Sequence, residues 1–96
     1  MIASFANQMT EDLFHGNGSH RLREHVPIFL VKTAERKLDI LNAAEDLDSL
    51  RLLPNNRIAH LDHNAHGKYK MPIGEGWALA FRWNNEDAYD VEIVKM

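Results

Sequence analysis

Three β-rich runs set close together constrain the fold of this chain more than any other feature. Tyr69–Ile73, Trp77–Trp83 and Ala88–Val94 are dense in aromatic and β-branched residues, and only Gly74-Glu75-Gly76 and Asn84-Asn85-Glu86-Asp87 separate them. Parallel neighbours need a crossover of about a dozen residues or more, so links this short impose an antiparallel meander. In the middle run Trp77, Leu79, Phe81 and Trp83 share one face, and Ala78, Ala80 and Arg82 share the other. In the last run Val91 and Ile93 oppose Asp90, Glu92 and Val94. Pro72 has no N–H to give to a ladder and marks an edge strand or a bulge.

An apolar sheet face needs a cover, and the first half of the chain supplies helices for it. Leu30, Ala34, Leu38 and Leu41 recur at three- or four-residue steps with Val31 beside them, which predicts a helix from about Pro27 to Ala44. Proline suits its first turn, and Lys32, Glu35, Arg36, Lys37 and Asp39 are assigned to its solvated side. A shorter helix is expected to start on Thr10 as N-cap, with Glu11 and Asp12 in its first turn, and to stop at Gly16. Another is expected through Glu45–Leu50, before the breaker Leu52–Asn56. Ile2–Phe5 reads as a short edge strand. The expected fold class is α+β, a small antiparallel β-sheet with N-terminal helices packed on one face, as one domain over residues 1–96.

Composition narrows the functions open to such a chain. It has no Cys, which removes disulfide scaffolds, thiolate zinc sites and cysteine nucleophiles. No apolar run approaches the ~18 residues of a membrane helix, and Met1–Phe5 lacks the marks of a secretory leader. A cytoplasmic protein with no membrane partner is expected. A net charge of −3 disfavours a general nucleic-acid binder, whose affinity rests on cations meeting phosphate. The charge is uneven, however. From Arg57 to Trp83, Arg57, Lys68, Lys70 and Arg82 outnumber Asp62 and Glu75 by two, whereas Asn84–Met96 carries Glu86, Asp87, Asp90 and Glu92 against Lys95 alone. His60, His63 and His66 fall in the basic stretch. With Asp62 they offer donors that zinc or nickel accepts, but in an extended chain His63 points away from the other two. They are expected to be solvated loop residues with no metal. The Trp77–Trp83 stripe is expected to be core, and Tyr69 and Tyr89 are expected to be packing groups, with stacking on a base the alternative for either tyrosine.

Several literal segments carry a resemblance: Ala34-Glu35-Arg36-Lys37-Leu38, Leu41-Asn42-Ala43-Ala44, Pro54-Asn55-Asn56-Arg57, Gly67-Lys68-Tyr69, Trp77, Phe81-Arg82-Trp83 and Val91-Glu92-Ile93-Val94. On these, and over nearly its whole length, the chain resembles the HigB branch of the RelE superfamily. These are small toxins of bacterial toxin–antitoxin pairs, also called plasmid maintenance killer proteins. The resemblance implies a RelE-like fold, a HigA-like antitoxin as partner, and ribosome-dependent cleavage of mRNA with no cofactor. In that chemistry the 2′-hydroxyl attacks its neighbouring phosphate while cations neutralise developing charge and a nearby group moves protons.

The sequence departs from the family at the positions that usually do this. Leu61-Asp62-His63-Asn64-Ala65 replaces the family's Leu-Lys-Gly-Asp-Arg, and Lys70-Met71-Pro72-Ile73 replaces Ser-Ile-Arg-Ile. Trp77-Ala78-Leu79 stands for Trp-Arg-Ile, and Val94-Lys95-Met96 for a terminal Asp-Tyr-His. Two readings follow from the resemblance. In one the chemistry has moved: His63 and His66 carry protons, Lys68, Lys70 and Arg82 neutralise phosphate, and Arg57 and His60 hold RNA. In the other the chain is a catalytically inactive toxin-fold protein that binds an antitoxin or co-represses its operon. The acidic strand Asp87–Glu92 would then suit a basic partner.

Overall fold

The short links form the meander they demand. A computed structural model describes residues 1–16, 26–51, 59–60 and 68–95. Strands β1 (Ala59–His60), β2 (Lys68–Gly74), β3 (Trp77–Asn84) and β4 (Asp87–Lys95) lie in chain order in one antiparallel sheet. Glu75 and Gly76 join β2 to β3 with φ of 53° and 81°. Two consecutive positive φ values give a turn whose twist matches the strands, and Gly76 adopts its value at no steric cost. The register slips between Pro72 and Gly74, so the proline stands at an irregularity, as its missing N–H required.

Register then sorts the side chains. Tyr69 faces Phe81, Met71 faces Leu79, and Leu79 faces Ile93, so the apolar residues of three strands share one face. Phe81 stacks on Tyr69 at 5.9 Å between ring centroids and meets Trp83 edge-on at 6.4 Å. Helix α2 (Ile28–Ala43) covers this face, with Leu30, Ala34, Leu38 and Leu41 buried among Met71, Ile73, Leu79, Phe81, Val91 and Ile93. Leu13 of α1 (Gln8–Phe14) and Leu50 of α3 (Leu47–Arg51) complete the core with Val26. None of the helices described is long and apolar enough to cross a membrane.

Two expectations about the helices are corrected. Asn7, not Thr10, caps α1: its side chain accepts from the Thr10 N–H at 2.9 Å. Thr10 lies one turn in, fully buried, and its hydroxyl accepts from the Ile93 N–H at 3.1 Å, tying the helix to β4. Thr10→Val keeps the shape and strands that N–H. A loss of about 1–3 kcal/mol is expected, read from the urea midpoint at unchanged m-value. The second correction is Lys37, assigned to the solvated side but only 9% exposed. Seven residues after Leu30 it returns to nearly the same helical azimuth, so it shares the covered face. Burial, and secondarily the neighbouring Arg36 charge, lowers its ammonium pKa from the usual lysine value.

The N-terminal segment does pair with the sheet, as an edge strand was expected to. Ile2 and Phe5 form parallel bridges to Ala88 and Val91 on the outer side of β4. The Ala88 N–H donates to the Met1 carbonyl at 2.9 Å and the Val91 N–H to the Ser4 carbonyl at 3.1 Å. Ile2 in turn donates its N–H to the Asn42 side chain at 3.0 Å, fastening the segment to the end of α2.

Candidate functional site

Alternation places the cations of β2 and β3 on the sheet face opposite the helices. Tyr69 and Met71 point into the core, so Lys68 and Lys70 lie on the other side, with Ala78, Ala80 and Arg82. Lys68 is paired directly across from Arg82, and Lys70 across from Ala80. Like charges directly opposite each other on a sheet destabilise it, so the fold itself gains nothing from Lys68 beside Arg82. A bound anion would remove the repulsion.

The positions of the missing family cations are also defined by this register. Pro72 and Ala78, where the family reads arginine, face each other across β2 and β3. The two arginines that the resemblance implies would thus form one cross-strand pair. Lys70, where the family has serine, lies on the same face one side-chain step along β2, about 7 Å away. Lys68 lies one step further. The cations this chain carries on that face, Lys68, Lys70 and Arg82, lie toward the Arg82 end of the sheet.

A β-bulge completes that end. Pairing runs Ala80 with Glu92 and then Arg82 with Tyr89, so Asp90 and Val91 together oppose Phe81. Asp90 takes φ 52°, a left-handed conformation that aspartate tolerates better than most residues, and its N–H donates to the Ser4 hydroxyl at 2.9 Å. The inserted residue shifts the alternation. Ala88, Val91 and Ile93 all face the core, while Tyr89 faces Arg82 across the strands. Expected to be a packing group like Tyr69, Tyr89 instead lines an open pocket of about 380 Å³ with Arg82, Trp83, Asn84 and Asp90. The clue in the sequence is Ala88 at a three-residue step from Val91, which breaks a period of two.

Electrostatically the site is only partly compensated. Asp90 Oδ2 approaches Arg82 Nη1 at 3.5 Å, with both side chains half-exposed. Such an exposed pair contributes about 0–1 kcal/mol and yields readily to a competing anion. Glu92, opposite Ala80, accepts from the Asn7 amide at 3.5 Å. Of the other candidate residues, His60 lies on β1 with its backbone paired to Tyr69. Arg57, His63 and His66 lie outside the described residues, as does Asp62. The structure therefore brings Lys68, Lys70 and Arg82 to one face and adds Tyr89 and Asp90 to them.

Comparison with known proteins gives the family of the chain. A family model described as the RelE-like toxin HigB of type II toxin–antitoxin systems matches residues 3–94. Toxin HigB-1 of Vibrio cholerae serotype O1 is 31% identical over 83 residues, covering 86% of this chain and 84% of the relative. A Haemophilus influenzae protein of uncharacterised function is 29% identical over 62 residues, covering 65% of this chain and 61% of its own length. The match spans the α2 cover, the meander and the cationic face. Membership of such a two-protein system brings with it an antitoxin as partner. The chain belongs to the HigB-like family of RelE-fold toxins of type II toxin–antitoxin systems.

Proposed function

We propose that this toxin is a ribosome-dependent mRNA endoribonuclease of the cytoplasm whose phosphate-binding cations have moved along the sheet. The observation that carries the reading is the direct cross-strand pairing of Lys68 with Arg82. Lys68, Lys70 and Arg82 hold the scissile phosphate and neutralise the charge that develops as the 2′-hydroxyl attacks. Arginine suits this role because its planar fork binds two phosphate oxygens at once. His63 and His66 serve as acid and base, since imidazole exchanges protons near neutral pH without a large pKa shift. Arg57 and His60 extend the contact along the RNA strand. A HigA-like antitoxin neutralises the toxin. The 2′-oxygen bonds to phosphorus as the bond from phosphorus to the 5′-oxygen breaks. One imidazole takes the 2′-hydroxyl proton and the other gives a proton to the departing 5′-oxygen, leaving a 2′,3′-cyclic phosphate.

The test is a cell-free translation reaction to which the purified chain is added, with primer extension mapping cuts in a reporter mRNA. Cuts are expected only with translating ribosomes, and His63→Ala/His66→Ala abolishes them. Intact mRNA and undiminished translation, from protein with a native circular dichroism spectrum, would overturn this reading and leave antitoxin binding as the function.

A further inference from the structure

The pocket beside the cationic row has the chemistry of a nucleobase site. Its five described lining residues are Arg82, Trp83, Asn84, Tyr89 and Asp90, which bring one aromatic ring on this face, that of Tyr89, together with a carboxylate, an amide and a guanidinium. The Trp83 ring packs edge-on to Phe81 on the covered face and its indole N–H donates to the Asn85 carbonyl at 3.0 Å, so Tyr89 is the ring on the open face. Tyr89 is half-buried beside Arg82. A flat aromatic face next to phosphate-binding cations is an arrangement on which single-stranded RNA bases stack.

The polar groups narrow the base. Asp90 is an acceptor-only carboxylate that lies 3.5 Å from Arg82, a contact a phosphate on Arg82 would release, and it is set at the bulge by its left-handed backbone. Asn84 carries an amide that can donate. Guanine alone among the four RNA bases shows two adjacent donors, N1–H and the 2-amino group, beside a carbonyl acceptor. Adenine and cytosine each show an acceptor next to their amino donor, and uracil flanks its single donor with two carbonyls. We infer that Asp90, Asn84 and Tyr89 form a guanine subsite, which selects the base beside the phosphate held by Lys68 and Arg82. The inference rests on the nuclease reading for its place in the reaction and on the pocket alone for its ligand.

The test is an amide NMR titration of the full chain with guanosine, inosine and adenosine 5′-monophosphates. Guanosine monophosphate is expected to shift the Asn84, Tyr89 and Asp90 signals. Inosine monophosphate, which lacks the 2-amino group, binds less tightly. Adenosine monophosphate binds weaker by about tenfold or more, the size of one bidentate base contact. Asp90→Asn brings guanosine monophosphate down to the adenosine level. Asparagine also tolerates positive φ, so this variant keeps the bulge, and its spectrum reports that it has done so. Equal response to the nucleotides, or shifts confined to Lys68 and Lys70, overturns the subsite. So does an unchanged spectrum. A chain that cuts mRNA without favouring guanine loses the subsite and keeps the nuclease. Guanosine binding in a chain that leaves mRNA intact does the reverse.

Discussion

Arg82→Ala is expected to lower ribosome-dependent mRNA cleavage by about 10²–10³-fold, the effect of removing one preorganised charge from a developing anion. Arg82 lies on an exposed face at the centre of the proposed row, opposite both Lys68 and Tyr89. Its loss leaves the core untouched, so the urea midpoint should stay within about 0.5–1 kcal/mol of the parent. Lys68→Ala should act in the same direction. Because the two cations meet one phosphate, the double variant should fall short of the product of the single losses. Arg82→Lys separates charge from geometry: it retains the cation and removes the two-point fork. Full cleavage by both single alanine variants, measured by primer extension at matched protein concentration, would mean that the phosphate sits elsewhere.

The largest stability effect is expected at Phe81. Its ring is fully buried, stacked on Tyr69 and edge-on to Trp83, beneath the α2 residues that cover the sheet. Phe81→Ala removes that packing and leaves a cavity, at a cost of about 3–5 kcal/mol. A domain of this length has on the order of 5–14 kcal/mol in total, so the variant gives up a large share of it. The melting temperature should fall by roughly 15 °C or more. A smaller shift would show that the neighbouring rings close over the space. Arg82 is the next residue along the same strand. One position is expected to govern stability and the next activity, because alternation sends them to opposite faces.

What the sequence discloses and what it hides both follow from periodicity. The meander is legible because the links at Gly74–Gly76 and Asn84–Asp87 exclude a crossover, and because Trp77–Trp83 alternates without interruption. Lys68, Lys70 and Arg82 can be placed on one face by parity alone. Tyr89 cannot, since one inserted residue at Asp90 reverses the parity of everything before it in β4. Composition misleads at Lys37: lysine is ordinarily solvated, and the seven-residue step from Leu30 carries the opposite message. Thr10 misleads in another way. A threonine before two acids looks like a cap, but Asn7 lies three residues earlier and accepts the N–H. The role of Thr10 depends on β4, and no local pattern announces a contact with a residue so distant in the chain.

The first ten residues have a consequence for how this sheet can associate. The backbone N–H groups of Ala88, Asp90, Val91 and Ile93 all donate to atoms of residues 1–10. β4 therefore offers no free ladder on those groups for another strand to extend, which is the usual route to strand-mediated aggregation. A partner approaching from that flank meets a finished border and must recognise side chains. Strand addition, a common mode of peptide capture, would first have to peel the N-terminal segment away.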